Sequence, residues 1–210
     1  MKRITLLLTA MLLMCLSAVA RTQLSGAEAE SVAARINAAA SKIKSMECTF
    51  QQKKSLSIMR DEMKSQGRMW YSAPACLRWE YTSPYTYAFV MNGDRVKTVN
   101  SRGSKTIDLN TSKLFRSIAN IMMQTVTGKC LGKGSDFTAV IYQEKDTWEC
   151  VLTPRRKNLR AMFASVTLTV SRSKEMVTAI TMREAGGDVT VITFGDTRIN
   201  TKIPASVFAM

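Results

Sequence analysis

The chain predicts a mainly β protein: one long antiparallel sheet, a helix ahead of it and an apolar helical insertion within it. Three observations carry this expectation. From Glu47 onward, apolar residues recur at every second position through most of the chain, the period of a strand with one covered face. Turn-forming residues punctuate that pattern at short intervals. Asn92-Gly93 is the clearest, because both central residues of the tightest hairpin turn need positive φ. The alternation gives way to three- and four-residue spacing in two stretches, 28–45 and 111–127.

The 210 residues, 46% of them hydrophobic, suffice for one domain with its own core. Lys2-Arg3, the apolar run Ile4 to Val19 and the small residues Ala18-Val19-Ala20 read as a secretory signal peptide over residues 1–20, cleaved after Ala20. That leaves 21–210 as a single domain. The apolar run is shorter than the roughly 20 residues a membrane span needs. Anchoring through a lipid on Cys15 is the competing reading, but Met14 rather than a small residue precedes that cysteine.

Ser25 and Glu28 have capping-box spacing, so a helix should begin there and run to about Ser45. Val32, Ile36, Ala39 or Ala40, Ile43 and Met46 would form its apolar stripe. A first strand should then carry Cys48 and Phe50, and a second should cover Lys64 to Tyr71 and stop at Pro74. In the third, Leu77, Trp79 and Tyr81 share one face and Arg78 and Glu80 the other; Tyr87, Phe89 and Met91 repeat the pattern in the fourth. Seven aromatic residues thus fall between Trp70 and Phe89. Another pair, Arg95 to Asn100 and Lys105 to Leu109, turns about Arg102-Gly103. Leu114, Phe115, Ile118, Ile121 and Met122 form the apolar face of the inserted helix, with Gly128 as its stop. Strands are expected again at 136–143, 147–153, 162–171, 176–183 and 188–194. About ten or eleven antiparallel strands in one sheet must curl. The concave face is apolar, and the two helices are its available covers.

The formal net charge is +14, of which Lys2 and Arg3 supply two charges. Such a surface suits anionic partners. The cations are scattered rather than gathered on one helix or arm, so for an exported chain lipid head groups or an acidic protein fit better than nucleic acid. Four cysteines follow the leader: Cys48, Cys76, Cys130 and Cys150. In an oxidising compartment they allow two disulfides in three connectivities, Cys48–Cys76 with Cys130–Cys150 being the local one. Their spacing matches no compact zinc pattern. With no histidine, Ser-His-Asp and Cys-His arrangements are excluded. Gly128, Gly132 and Gly134 lack phosphate-loop spacing, and Asp61, Glu62 and Asp94 stand beside cations in turn-like contexts. No cofactor and no enzymatic activity are expected.

The segments "TFQQKK", "GRMWYSAP", "LRWEYTSP" and "YAFVMNGDRV", the helical insertion, then "WECVLTPR", "VTLTV", "TMREAGGDVTVITF" and "INTKIPASVF" follow in that order. Together they resemble the LolA-type periplasmic lipoprotein carriers over Glu28 to Phe208. The resemblance implies an incomplete, half-open antiparallel β-barrel lidded by helices, whose cavity shields lipoprotein acyl chains between the membranes. It further implies a monomer in the periplasm, loaded by an inner-membrane ATP-driven exporter and unloaded by an outer-membrane acceptor. An acyl chain of roughly 16 carbons would cost on the order of 10 kcal/mol to expose to water. On this reading Leu77, Trp79, Tyr81, Phe89 and Met91 are the cavity wall and Leu114, Phe115, Ile118 and Met122 the lid. The eleven methionines after residue 20 suit a wall that repacks around flexible chains. The same residues could also fill a closed core. One departure concerns the lid: carriers of this kind have an arginine just before the proline matching Pro74, and this chain has Ala73. A carrier of another hydrophobic molecule and a membrane-anchored acceptor are the alternatives.

Overall fold

A computed structural model of the chain describes residues 21–59, 61–111, 116, 119, 122–124, 131–132 and 134–210. The proposed signal peptide lies outside them, as does most of the central insertion. Thr22–Gln23 is strand β1, and Gly26–Ser41 is helix α1. Six strands follow as successive hairpins: β2 (Ser45–Ser55), β3 (Glu62–Ser72), β4 (Cys76–Ser83), β5 (Tyr87–Asn92), β6 (Arg95–Asn100) and β7 (Gly103–Asp108). After the insertion come β8 (Phe137–Gln143), β9 (Thr147–Pro154), the short helix α2 (Lys157–Arg160), β10 (Phe163–Ser171), β11 (Met176–Glu184) and β12 (Val189–Ile199). A 3₁₀ turn, Ala205–Phe208, lies near the C-terminus.

All twelve strands form one antiparallel sheet in the order β1-β8-β9-β10-β11-β12-β2-β3-β4-β5-β6-β7. The two meanders meet where β12 pairs β2, from Val189 opposite Ser55 to Ile199 opposite Met46. The sheet does not close, because β7 has one neighbour and β8 is flanked on its outer side only by the two residues of β1. Inner-face residues of ten of the twelve strands nonetheless converge on one cluster, from Phe50 on β2 and Val96 on β6 to Trp148 on β9 and Ile192 on β12. That convergence is the curl of an open barrel.

Alternation placed the strands well, and the differences have local causes. Helix α1 opens as the capping box predicts, with Ser25 donating to Glu28 Oε2 from N at 3.0 Å and from Oγ at 2.6 Å. It ends at Ser41, four residues before the expected Ser45. Val32, Ile36 and Ala40 face the core from the helix, whereas Ile43 lies beyond its end and Met46 belongs to β2. The ladder with β12 claims that segment: Asn200, at φ 57°, accepts from Lys44 N at 2.7 Å and donates to Lys42 O at 3.2 Å. Strand β1, helix α2 and the 3₁₀ turn are too short for periodicity to reveal.

Candidate functional site

The inner face of β3, β4 and β5 gathers the aromatic residues into one wall. Leu77, Trp79 and Tyr81 point inward from β4, opposite Met91, Phe89 and Tyr87 of β5. Arg78 and Glu80 alternate outward and pair with each other at 3.0 Å. From β2 the Phe50 ring lies 4.3 Å from the Trp79 ring and meets Tyr81 edge-on at 5.2 Å. Phe194 of β12 closes the far side of Trp79 at 6.1 Å. Gly67, opposite Phe50, makes this approach feasible: a Cβ there would stand 1.9 Å from the Glu80 carbonyl oxygen and 2.7 Å from the Phe50 ring. The Tyr81 hydroxyl donates to Gln52 Oε1 at 2.9 Å. Burial, reinforced by Tyr85, pushes its pKa up to about 12, and burial also raises Tyr71 and Tyr87. The wall is therefore neutral as well as apolar.

Two elements cover it. Helix α1 contributes Val32 and Ile36, and its Arg35 reaches the sheet, donating from Nε to Glu175 Oε1 at 2.9 Å while its guanidinium lies 4.9 Å from the Trp148 ring centre. From the insertion, Leu109, Ala119 and Leu131 are buried in the same cluster, with Met122 and Met123 packed against it. Leu114, Phe115 and Ile118 lie outside the described residues. Leu77, Trp79, Phe89 and Met91 are each no more than 6% exposed, and Tyr81 is half-buried. The structure thus brings the five wall residues and Met122 into one cluster, together with Val32 and Ile36 of α1.

The other candidate residues stand apart. Cys48 and Cys76 are both thiols, so the local pairing among the three connectivities the sequence allows is not formed between them. Strand β3 separates them, and adjacent strands spaced by roughly 4.8 Å put their Cα atoms beyond the reach of a disulfide. Cys48 also faces the core, while Cys76 packs against the cluster on the outer face. Cys150 is buried on β9, and Cys130 lies outside the described residues. Ala73 is exposed in the β3–β4 turn and reaches the cover region only by donating its backbone N–H to Lys44 O at 2.8 Å. Asp61, Glu62 and Asp94 are exposed. Among the described residues, no group of three or more Cys, Asp or Glu is placed to hold a metal ion, and no helix is long and apolar enough to cross a membrane.

Sequence reasoning missed a second apolar cluster on the outer face. Ala88 and Val90 of β5 are buried there beneath Phe208, with Trp70, Ile203 and Val207 alongside. The signal was present: "YAFVM" is a continuous apolar run, as a strand covered on both faces shows.

A family model described as outer membrane lipoprotein carrier protein LolA matches residues 41–210, which include every strand of the sheet except β1. The chain belongs to the LolA family. It is 22% identical over 166 residues to an outer-membrane lipoprotein carrier protein of Pseudoalteromonas translucida, covering 79% of this chain and 76% of that protein. To the protein of the same name from Chromohalobacter salexigens it is 25% identical over 144 residues, 69% of this chain and 65% of that one. Among solved structures, the Mycobacterium tuberculosis lipoprotein LppX aligns with TM-score 0.50 at 8% identity, over 86% of this chain and all of that one. An uncharacterized conserved protein from Thermus thermophilus aligns with TM-score 0.51 at 10% identity, over 87% and 94%. At these identities the structural likenesses speak to the fold, which they share with this LolA-family chain.

Proposed function

We propose that this chain is a periplasmic carrier that shields the acyl chains of lipoproteins, or of a related lipid, between its curled sheet and the two covers. Its partners would be acylated proteins, an inner-membrane exporter that loads it and an outer-membrane acceptor that receives the cargo. No bond is made or broken in such a cycle. The observation that carries the reading is the inner face itself: Leu77, Trp79, Phe89 and Met91 line an open sheet, and its cover α1 packs on that face without being part of the β-ladder. Family membership supports the cargo class. In this reading an acyl chain takes the place of Val32, Ile36 and the insertion against the wall, exchanging one set of apolar contacts for another of similar area.

The test is quenching of Trp79 fluorescence by brominated acyl chains in a Trp70→Phe/Trp148→Phe background. Quenching that saturates, together with lipid or acylated protein in the organic extract of the gently purified chain, is the expected result. Unquenched Trp79 and a clean apo mass by native mass spectrometry would make the aromatic wall a permanent core.

A further inference from the structure

One end of the barrel is unlike the other. The antiparallel registers put the β2–β3 and β4–β5 turns, the β9–β10 connection and the β11–β12 turn together at one end of the sheet. Of the exposed large hydrophobic residues described, Ile58, Met59, Met63 and Tyr85 all lie there, and Ile199 lies at the opposite end. Ile58 is 90% exposed, and Met59 and Met63 53% each. They crown a hairpin whose first turn residue is bonded to the neighbouring β11–β12 turn. Ser57 donates to Asp188 Oδ1 from N at 3.0 Å and from Oγ at 3.2 Å, so the turn displays Ile58 and Met59 while anchored to its neighbour.

The charge around that tip is lopsided. Lys53 and Lys64 stand directly opposite each other on the β2–β3 ladder, an arrangement that costs stability unless an anion offsets it. Both are exposed, and neither forms an ion pair with a described residue. Arg155, Lys157 and Arg160 of the β9–β10 connection and Arg183 of β11 add further cations at this end. Its carboxylates are largely committed: Glu184 and Asp188 hold Lys54 at 2.8 and 3.6 Å, and Asp136 holds Arg156 at 2.6 Å. Asp61 and Glu62 are the remainder. At the other end, Asp94, Asp108, Glu144, Asp146 and Glu175 intersperse the cations.

We infer that the β2–β3 hairpin end is a docking surface for an anionic lipid bilayer, with Ile58 and Met59 entering the head-group region and Lys53 and Lys64 meeting lipid phosphates. Exposed apolar side chains on a short projection with two unpaired lysines at its base are what interfacial attachment needs; each element alone is weak and the pair gives reversible binding. The attachment is independent of what the inner face holds.

The experiment is co-sedimentation of the protein, purified from cells with its N-terminal mass recorded, with phosphatidylcholine vesicles with and without phosphatidylglycerol, at low and physiological salt. Binding should require phosphatidylglycerol and weaken with salt. It should fall about tenfold in Ile58→Asp/Met59→Asp and about fivefold for each of Lys53→Gln and Lys64→Gln, while Ile199→Ser binds as the parent does. All these positions are exposed, and circular dichroism verifies the fold. No sedimentation with anionic vesicles, equal loss in Ile199→Ser, or undiminished binding of folded Ile58→Asp/Met59→Asp overturns the inference, as does retrieval of the tip by a protein partner with vesicles ignored. Trp79 quenching reads the interior separately, so either idea can fail without the other.

Discussion

A hydrogen in place of a methyl group at position 67 lets Phe50 lie against Trp79. Gly67→Ala should destabilise the protein by about 1–3 kcal/mol, read as a lower denaturation midpoint in urea, because the Glu80 backbone that the new Cβ meets cannot swing aside as a side chain could. An unchanged midpoint would mean that the β3–β4 ladder flexes there. The inward positions of Leu77, Trp79 and Tyr81 were legible because alternation reports a face. The role of Gly67 was not, since it depends on a ring from the neighbouring strand. Cysteine pairing was illegible for a similar reason: spacing along the chain does not show that β3 runs between Cys48 and Cys76. Burial, with Glu47 adding to it, pushes the Cys48 thiol up to about 12, whereas Cys76 is half-buried with its thiol on Asn92 Oδ1 at 3.6 Å. A maleimide should therefore label Cys76 in the folded protein and Cys48 only after unfolding; equal rates would show that solvent reaches the inner face. Tyr81 gives a pH test. Its folded pKa is raised from 10.0 to about 12, so the folded state holds the proton more tightly and stability falls as pH climbs through that window. Tyr81→Phe should flatten the alkaline slope in urea titrations at successive pH values.

The C-terminal 3₁₀ turn acts on the outer side of the sheet, opposite the inner aromatic face. Phe208 covers Ala88 and Val90, Asn92 Nδ2 donates to the Phe208 carbonyl at 3.2 Å and an Arg78 guanidinium N–H to that of Val207 at 3.4 Å. The strands that carry Trp79 and Phe89 inward are thereby clamped from outside. Phe208→Ala should cost about 3 kcal/mol in thermal or urea unfolding, more than its place two residues before Met210 would suggest. A near-zero effect would show that β4 and β5 need no outer cover. Helix α1 shows the limits of periodicity differently. Its start was legible from Ser25 and Glu28, but Ile43 and Met46 continue the helical spacing past the true end. Pairing of Met46 with Ile199, more than 150 residues away, overrides the local pattern.

The two meanders were legible in order, while their junction was not: nothing in β2 or β12 alone announces that they pair, and the two residues of β1 are too few to be seen. The junction decides the architecture, because it turns two ribbons into one curled sheet with Trp79 and Ile192 in a single cluster. Neighbours in sequence, β7 and β8 finish far apart in strand order, and residues 109–136 run from one free edge to the other. A closed barrel has its girth set by strand number and shear. Here the hoop is cut: among the described residues, no ladder joins β7 to β1 and β8 at the other end of the strand order. Under the proposed carrier function, girth becomes a variable that cargo can set. Acyl chains of increasing length should then compete for the Trp79 site with smoothly rising affinity, each methylene adding its increment, and without the sharp cutoff that a fixed bore imposes.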